Sequence, residues 1–375
     1  MFRITRWFFA YVLAFFQWSV AIAQQPVDSV RNIIAANEND SSFVDNAFFL
    51  ADQFMELDQY DSAQVWLNKI AARLPFRKPS LFNYFLSCRQ SEVYYYNGLQ
   101  RLGLQEAERS LQIATVLNDS LLLADSYNFL GLFYMNLDSL EKSIDHFKKG
   151  IRYTKQPPYP QVYLSLTKPH HLYGNQAEAW LKLGNHALAI ELGKKSLSLA
   201  TEINWERGMA VAGHLLGLAY QQLMKLDTAR FFHTEALKLA RQSGDLDVEL
   251  VCYGGLAATE AGFGQKQASF AYLTEGLDLL NRKPFINNLF YLRFLDDAIS
   301  IYRTYNERDM LIYTLQKKAH LEQQRIKKND LQMNSLLNAS LQNETKLLAF
   351  QVADAKQKQA LANTRLMFAL AGLVL

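Results

Sequence analysis

The chain has 375 residues, of which 50% are hydrophobic and 20% charged, and its formal net charge at pH 7 is +3. A chain of this length and apolar content can bury a large core. Two of the positive charges, Arg3 and Arg6, precede the first apolar run. Because so little net charge is left for the remainder, the composition does not indicate nucleic acid as a partner.

Residues 1–23 have the pattern of a secretory signal peptide. Two arginines precede an almost wholly apolar run, Trp7–Val20, and small residues stand at Ala21 and Ala23, at positions −3 and −1 of a cleavage site. We predict cleavage after Ala23 and export of the mature chain. The alternative is an uncleaved membrane anchor, for which the apolar segment is marginally long enough.

The region Ala114–Gly150 predicts two short helices joined by a turn at Asn136–Ser139. Each helix carries a stripe of residues that share one side. Small residues in the stripes allow two helix backbones to approach closely, and aromatic rings fill the remaining space. The stripes consist of Tyr127, Leu130, Gly131 and Tyr134 in the first helix and of Ser143, Phe147 and Gly150 in the second. Such a hairpin cannot bury its own apolar face and requires copies on either side.

Copies of this hairpin recur along the chain. The same interval of 17 residues separates Ala114 from Gly131, Ala200 from Gly217, and Ala240 from Ala257. The small residue of the second helix recurs at intervals of 46, 40 and 40 residues, at Ser143, Ala189, Ala229 and Ser269. A more distant copy near the start contains Ala63, Leu67 and Ile70. A terminal pair is predicted at Phe285–Glu322, where Leu295, Ala298 and Tyr302 face Leu311 and Leu315. Chance rarely repeats one offset three times, so the region is a repeat array.

This pattern resembles the tetratricopeptide repeat, in which an aromatic residue, Leu-Gly and Tyr are followed by Ala, Phe, Ala and a closing Pro. Tyr127-x-x-Leu130-Gly131-x-x-Tyr134 matches it best, and the resemblance covers roughly residues 41–323. A usual repeat has about 34 residues, so the longer intervals predict longer helices. The resemblance implies an all-α fold: a right-handed, tetratricopeptide-like solenoid of about seven helix pairs within residues 24–323, without a sheet.

Three segments inside the repeats have more than one interpretation. Tyr94–Tyr96 contributes to core and walls, or forms an aromatic platform for a ligand. Gln156–Pro160 and Lys168–His171 break the helical pattern and are either a linker or a loop that borders a binding groove. Gly262–Gly264 falls where a turn between helices is expected, and a phosphate loop is disfavoured because no strand precedes it.

The two cysteines are predicted to lie in the first helices of the second pair (Cys88) and the sixth pair (Cys252). Packed helices are about 8–10 Å apart, so four repeats separate the thiols by more than the ~7 Å that a disulfide permits. We therefore expect two free, buried thiols. The adjacent His170 and His171 lack a Cys, Asp or Glu at ligand spacing, so neither a metal site nor a cofactor is predicted.

The sequence contains no P-loop, HExxH or GxSxG motif and no dinucleotide fingerprint, so we predict that this chain is not an enzyme. The resemblance implies instead a protein or peptide partner in the concave groove, held by first-helix residues beside the packing stripe. These candidates are Asp125, Asn128, Leu132, Met135, His171, Glu178, His214, Leu218 and Gln221. Mixed apolar and polar contacts are expected, since this groove lacks the several lysines and arginines with which chaperone-binding members clamp a C-terminal carboxylate.

Residues 324–365 predict one long amphipathic helix with a weak coiled-coil seam, interrupted by Glu344 and Lys358. The seam consists of Leu337, Leu341, Leu348, Val352 and Ala355. It would pair two copies in a homodimer through residues 325–365, and the membrane helix would relay changes in this pairing inward. The alternative is that the long helix is a simple spacer. Residues 366–375 are apolar but only half of the ~20 residues that a spanning helix needs, so we interpret them as the start of a transmembrane helix in a longer protein. The alternative is a tail that only dips into a bilayer.

This order of parts resembles the extracytoplasmic half of bacterial tetratricopeptide-repeat sensor proteins. In that family the membrane helix leads to a cytoplasmic histidine kinase or a helix-turn-helix regulator. The resemblance implies an exported sensing and dimerising module at the periplasmic face of the inner membrane, anchored by its C-terminal helix. The alternative is a membrane-tethered envelope scaffold without signalling output. The coding sequence beyond Leu375 would distinguish the two.

Overall fold

The structure, a computed structural model, describes residues 43–57, 59–74, 79–154, 166–282, 288–327 and 330–331. Within these ranges all regular secondary structure is α-helical. The helices are α1 (Phe43–Glu56), α2 (Tyr60–Ala71), α3 (Leu81–Asn97), α4 (Gln100–Leu117), α5 (Ser120–Asn136), α6 (Leu140–Tyr153), α7 (Pro169–Lys182), α8 (His186–Glu202), α9 (Glu206–Gln222), α10 (Leu226–Ser243), α11 (Leu246–Gly262), α12 (Lys266–Arg282) and α13 (Asn288–Thr304). A further helix, α14, covers 308–327.

The helices form seven successive pairs, from α1/α2 to α13/α14. Consecutive helices pack against each other from α1 to α13, and the first helices of neighbouring pairs also touch from α3 to α13. The first helices therefore form one continuous layer, whose exposed side chains share a face of the stack. This arrangement confirms the predicted all-α, tetratricopeptide-like solenoid of about seven pairs.

A residue with positive φ marks the turn inside each pair from the second to the seventh: Gly98, Asp138, Gly184, Met224, Gly264 and Asn306. These positions are 40, 46, 40, 40 and 42 residues apart. The second pair, whose first helix has a degenerate sequence pattern, thus keeps the interval of 40. Most helices from α3 to α12 have 17 or 18 residues, which confirms longer helices as the reason for the intervals of 40. The interval of 46 spans α6 and α7, which have only 14 residues each, so its extra length lies in the segment 154–168 between them.

Acidic side chains cap the starts of two first helices. Asp119 accepts hydrogen bonds from the backbone N–H groups of Leu121 and Leu122 at the start of α5. Asp245 accepts one from the N–H of Val248 at the start of α11. A carboxylate here satisfies N–H groups that have no partner within the helix and complements the helix dipole. These caps fix where the third and the sixth pair begin.

The core contains aromatic rings that lie directly against glycines of a neighbouring helix. A Cβ atom on Gly131 would stand 2.4 Å from the ring of Phe147, and one on Gly103 would stand 2.1 Å from the ring of Phe133. Both rings are fully buried. Gly217 is in the same situation against His233. The placement of Gly131 and Gly217 at close helix crossings is therefore confirmed.

The small residues that mark the repeat in the second helices are all buried: Ser143, Ala189, Ala229 and Ser269. The Ser143 hydroxyl donates to the carbonyl oxygen of Gly131 at 2.8 Å, and the Ser269 hydroxyl donates to that of Ala257 at 2.7 Å. These hydrogen bonds join the two helices of a pair at the same position in the third and sixth pairs. The regular interval in the sequence thus corresponds to a repeated helix crossing.

In the fifth pair the ring at this crossing belongs to a histidine. His233 is 0% exposed and lies between Gly217 and Gly255. Neither of its ring nitrogens has a partner among the described residues, and the ring of His214 is 5.0 Å away between centres. Burial lowers the pKa of His214 to about 3, with the charge of Arg293 acting in the same direction. Burial, together with His214, also lowers the pKa of His233 well below its usual value.

Both cysteines are free and buried, Cys88 in α3 and Cys252 in α11. They occupy the first helices of the second and sixth pairs, as predicted. The Cys88 thiol donates to Oδ2 of Asp125 at 2.9 Å. Burial raises the pKa of both thiols. A buried thiol with a raised pKa stays protonated and unreactive, so these residues act in packing.

The seventh pair agrees with the sequence in its first helix only. The predicted stripe of α13 is buried: Leu295, Ala298 and Tyr302. In α14 the prediction is wrong for Leu315, which is 42% exposed, whereas Thr314 is fully buried. The Thr314 hydroxyl donates to the carbonyl oxygen of Met310 at 2.7 Å. Because this bond within the helix satisfies the hydroxyl, a polar residue can occupy the buried position.

The first compact unit of the chain ends at Lys318, and the second comprises residues 319–375. Of the second unit the structure describes 319–327 and 330–331, which are helical. The predicted signal peptide, most of the predicted long helix and the predicted membrane segment lie outside the described residues. No helix among the described residues is both long and apolar enough to cross a membrane.

Gly131→Ala should destabilise the fold, although alanine is the better helix former. The added methyl group would overlap the ring of Phe147, and overpacking of this kind costs about 1–3 kcal/mol. Chemical denaturation of the purified protein measures the effect. Combination with Phe147→Leu should recover part of the loss, because the two changes meet at one contact. Equal stability of Gly131→Ala and the wild-type protein would contradict this packing.

His214→Leu should reduce the acid sensitivity of the fold. The pKa of this histidine is about 3 in the folded protein and about 6.5 in the unfolded chain, so below pH 6.5 the unfolded state binds more protons. Its neutral form therefore supports full stability above about pH 6.5, and that stability is lost progressively as the pH falls toward 3. At pH 5 the loss amounts to about 2 kcal/mol.

The measurement is the difference in unfolding free energy between pH 7.5 and pH 5 for the wild-type and His214→Leu proteins. Buried carboxyl groups with raised pKa values change the unfolding free energy in the opposite direction. Their contribution is the same in both proteins and cancels when the two differences are compared. His320→Leu is the control, because His320 is exposed on α14. The same pH dependence in the wild type and in His214→Leu would show that His214 titrates normally.

Candidate functional site

A cavity of about 300 Å³ lies along the first helices of the second to fifth pairs and is also lined by α13. Its volume is at the lower end of the range of ligand pockets. Its lining residues are Arg89, Glu92, Tyr95 and Tyr96 of α3; Asp125, Asn128, Phe129 and Leu132 of α5; Leu166 and Thr167; His170, His171, Gly174, Asn175 and Glu178 of α7; Ser196 of α8; Trp205, Arg207, Gly208 and Val211 around the start of α9; and Leu289, Phe290 and Arg293 of α13.

Five of the nine groove candidates line this cavity: Asp125, Asn128, Leu132, His171 and Glu178. The other four do not, namely Met135, His214, Leu218 and Gln221. Met135 and His214 are buried in the core, and Leu218 and Gln221 are partly buried further along α9. Only the beginning of α9 reaches the cavity, because the lining shifts toward helix N-termini as the stack proceeds from α3 to α9. Helical periodicity identifies a face but not this offset along it.

Asp125 is 1% exposed, and both oxygens of its carboxylate accept hydrogen bonds from within the protein. Its Oδ2 accepts hydrogen bonds from the hydroxyl of Tyr84 and the thiol of Cys88, each at 2.9 Å. Its Oδ1 accepts one from the backbone N–H of Thr167 at 2.8 Å. Burial, with the charge of Asp125, raises the pKa of Tyr84 well above its usual value. Asp125 therefore ties α3, α5 and the segment before α7 together beneath the cavity.

Two asparagines on neighbouring first helices meet at the cavity. The side-chain N–H of Asn175 donates to Oδ1 of Asn128 at 2.8 Å. This bond leaves the amide N–H₂ of Asn128 and the side-chain oxygen of Asn175 without partners among the described residues. Exchanging oxygen and nitrogen in both amides would leave the same pair of groups. The site thus presents an amide N–H₂ group and a carbonyl oxygen side by side.

At the start of α7, His171 forms a neutral hydrogen-bond donor. Its Nδ1 accepts the backbone N–H of Lys168 at 3.0 Å, so we assign the ring proton to Nε2. Burial, together with the charges of His170 and Lys168, lowers the pKa of His171 well below its usual value. Trp205 contacts both histidines edge-on, with ring centres 4.7 and 4.9 Å apart. The ammonium group of Lys168 lies 4.7 Å from the centre of the tryptophan ring.

Unlike His171, His170 has a ring nitrogen, Nε2, that is buried without a hydrogen-bond partner among the described residues. Burial lowers its pKa to about 4, with Lys168 acting in the same direction. Its backbone oxygen accepts a hydrogen bond from the Ser196 hydroxyl at 2.7 Å. No group of three or more His, Cys, Asp or Glu in the described part of the chain is arranged to hold a metal ion. The two histidines form part of the cavity wall.

Three arginines that are not among the groove candidates predicted from the sequence also line the cavity: Arg89, Arg207 and Arg293. Each is paired with a carboxylate. The Nε of Arg89 lies 2.7 Å from Asp52 and its Nη1 lies 3.0 Å from Glu92. The Nε of Arg207 lies 3.1 Å from Asp245. Glu92 lies one turn from Arg89 on α3, as helical periodicity predicts, whereas Asp52 and Asp245 come from α1 and from the turn before α11, which periodicity within a single helix does not indicate.

The buried ion cluster around Arg89 has more acidic than basic groups. Arg89 is 4% exposed and has two carboxylate partners. Burial raises the pKa of Glu92 to about 7; Arg89 opposes this shift, and the charges of Asp52 and Asp125 add to it. One positive charge thus serves several carboxylates on this side of the cavity.

The third arginine crosses the cavity. Arg293 of α13 donates to Glu178 of α7, although the two residues are 115 positions apart. Burial raises the pKa of Glu178, but the charges of Arg293 and Lys182 outweigh burial and the pKa is lowered. Burial and the charge of Glu178 raise the pKa of the neighbouring Tyr95 to about 12, while the charge of Arg293 opposes them. A phenol, a carboxylate and a guanidinium thus meet at this point.

The tyrosine run of α3 belongs to both the core and the cavity wall. Tyr94 is 5% exposed, whereas Tyr95 and Tyr96 line the cavity. The ring of Tyr96 stacks on that of Tyr60 at 4.6 Å, and the ring of Tyr95 meets that of Phe133 edge-on at 5.7 Å. These contacts hold both rings in place. The run therefore supplies fixed aromatic surface to the cavity.

Several lining residues were not identified from the sequence, among them Asn175, Trp205 and Arg293. Asn175 had a usable signal, because it follows Asn128 by 47 residues, close to the local repeat interval. Arg293 had none, because its partner lies three pairs away. Of the proline-rich break, residues 155–165 lie outside the described residues, but Leu166 and Thr167 border the cavity.

Comparison with known proteins supports the repeat architecture. Residues 124–157 match the family model of the tetratricopeptide repeat. This segment overlaps the hairpin Ala114–Gly150, whose sequence fits the repeat pattern best. No protein of curated function is detectably similar to the chain in sequence.

Several solved structures share the fold at low identity. A Rap protein complexed with competence and sporulation factor has a TM-score of 0.59 at 11% identity, over 81% of this chain and 94% of its own. Aspartyl phosphate phosphatase F from Bacillus subtilis has a TM-score of 0.55 at 18% identity, over 77% and 73%.

The Cut9–Hcn1 hetero-tetramer of APC/C has a TM-score of 0.55 at 12% identity, over 82% of this chain. The match covers about half, 52%, of the compared chain of that complex. At such identities the likeness concerns the fold alone. Residues 124–157 thus match a tetratricopeptide repeat, and the described chain has the fold of a tetratricopeptide-like α-solenoid.

Proposed function

We propose that this chain binds an extended peptide, or an extended segment of a protein partner, in the cavity along its first helices. The observation that carries the proposal is the amide pair of Asn128 and Asn175. Both asparagines line the cavity, and their mutual hydrogen bond leaves an amide N–H₂ group on one and a carbonyl oxygen on the other without partners among the described residues. Every peptide unit of an extended chain has one N–H and one C=O group, which this pair complements.

The rest of the lining suits the same ligand. Ligand pockets combine apolar and aromatic walls with a few placed polar groups. Here Tyr95, Tyr96 and Phe129 supply the aromatic surface, and the Nε2–H of His171 supplies a further neutral donor. Neutral amides and an imidazole recognise main-chain groups without requiring one particular side chain. The cavity therefore favours a peptide over a small charged metabolite.

The comparison structures are compatible with this proposal. One of the fold neighbours is a Rap protein in complex with competence and sporulation factor, and another is part of a hetero-tetramer. At 11–12% identity, the similarity to these proteins shows a shared fold and nothing more. The proposal for this chain therefore depends on its own cavity and its own amide pair.

Asn128→Ala and Asn175→Ala should each weaken peptide binding. The probe is a library of capped pentapeptides randomised at every position, captured on the immobilised protein and quantified by mass spectrometry. Loss of one hydrogen bond costs about 1–1.5 kcal/mol, so we expect about a five- to ten-fold lower retention of the bound peptides. Gln105→Ala is the matched control, because Gln105 is exposed on the second helix α4.

Melting temperatures of all variants show whether the solenoid remains folded. Retention equal to that of the wild type in both asparagine variants would exclude the amide pair as the binding group. A library from which the wild-type protein retains nothing would contradict peptide binding altogether.

The wider proposal concerns the role of this binding module in the whole protein. We infer an exported sensing and dimerising part of a membrane-bound signalling protein, anchored by its C-terminal segment. The support is the order of sequence features: a signal-peptide pattern at 1–23, the solenoid, an amphipathic segment at 325–365 and an apolar segment at 366–375. The alternative is a membrane-tethered envelope scaffold, which needs the binding surface but transmits no signal across the membrane.

Single cysteines at Leu341, Leu348 and Ala355 test the dimer. In a background without the natural cysteines, each should form an intermolecular disulfide in membranes, because all three belong to the predicted seam. A cysteine at Lys346 is the matched control, since helical periodicity places it on the opposite side. Crosslinking that changes on addition of a bound peptide supports the relay. The absence of crosslinking at all three seam positions would refute the homodimer.

A further inference from the structure

The ion pair between Glu178 and Arg293 differs from the other contacts of the solenoid. In a repeat stack each pair normally contacts only its neighbours. Here Arg293 of the seventh pair reaches Glu178 of the fourth pair, 115 residues away. Both side chains line the cavity. The pair thus closes the cavity by a contact between side chains, without direct packing of the two helices that carry them.

The two partners are not equally fixed. The side chain of Arg293 is 46% exposed, whereas that of Glu178 is 21% exposed. Glu178 belongs to α7, which packs against α6, α8 and α9 and carries the histidines and Asn175 of the cavity wall. The arginine is therefore the partner that can leave, and the carboxylate is the one that remains.

Departure of Arg293 would leave an excess of negative charge in the cavity. Arg89 is already shared between Asp52 and Glu92. The only other cation beside Glu178 among the described residues is Lys182, at 3.5 Å and 41% exposed. A partly buried carboxylate that loses its partner is costly. A replacement cation from the ligand would remove that cost, whereas an anionic group would add to it.

We propose that Glu178 is a subsite for a basic side chain of the bound peptide, an arginine or a lysine, and that Arg293 occupies this subsite when no ligand is present. This inference rests on the proposed peptide-binding function and adds a charge preference to it. The guanidinium of Arg293 shows that an arginine side chain fits beside Glu178 and Tyr95. The ligand arginine would form the same charge-assisted hydrogen bond with the carboxylate.

The size of the cavity agrees with this exchange. A cavity of about 300 Å³ is at the lower limit for a ligand pocket. Leu289, Phe290 and Arg293 all reach it from the first turns of α13. Withdrawal of the arginine side chain opens space at the same place where the incoming side chain binds. Ligand binding and release of the ion pair are thus one exchange.

The capped pentapeptide library also tests this exchange. Arg293→Gln removes the competing guanidinium, so peptides that contain Arg or Lys should be retained about ten-fold more than by the wild type, relative to peptides that contain Asp or Glu. Glu178→Gln, alone or combined with Arg293→Gln, should remove the preference for basic peptides. Arg303→Gln is the matched control, because Arg303 is exposed on the same helix, α13.

The exchanged pair Glu178→Arg/Arg293→Glu supplies a second test in case a neutral variant folds poorly. It keeps an ion pair but reverses its direction, so it should prefer peptides with Asp or Glu. Equal gains for acidic and basic peptides in Arg293→Gln would overturn the charge preference and leave peptide binding intact. A gain for acidic peptides would reverse the assignment. Retention of no peptide by any variant would overturn the proposed function together with this inference.

Discussion

The close crossing of two helices, with a ring on one side and a residue without a side chain on the other, is the constraint on which the structure depends. Phe147 against Gly131 and His233 against Gly217 are two instances of it. A helix pair of this kind cannot bury its apolar face alone, so the crossing must recur. Recurrence of the same crossing aligns the first helices in one layer, and that layer places Asn128 and Asn175 on neighbouring helices, where their side chains are 2.8 Å apart.

The cavity combines a fixed wall with an adjustable one. Asp125 of α5 satisfies three donors, two from α3 and one from the segment before α7, which holds α3 and α5 in register and commits a buried carboxylate to structure. Arg293, in contrast, reaches Glu178 by a half-exposed side chain. A ligand that displaces it acts on the seventh pair, which directly precedes the predicted dimer segment in the chain. In the proposed signalling protein, this order would connect binding to pairing by the shortest route along the sequence.

Much of the fold follows from local patterns. Stripes at helical spacing and a repeated interval of 17 residues identify the helix pairs, their number and the buried glycines, because helix packing imposes the same steric requirement at each repeat. The degenerate second pair was harder to place by sequence, since its regularity lies in a turn residue with positive φ, Gly98, rather than in its apolar stripe. Thr314 was missed for a similar reason: a hydroxyl satisfied within its own helix can occupy a core position.

The sequence by itself determined the fold class, the cleft-lining character of the first helices and five residues that the cavity contains. It also predicts the export signal and the segments after the solenoid, which are properties of continuous stretches of chain. Only the tertiary structure decided which part of each helix reaches the cavity and which charges face each other there. The physical reason is distance along the chain: the offset between helices accumulates over the stack, and the contact of Arg293 with Glu178 spans 115 residues, far beyond any periodicity within one helix.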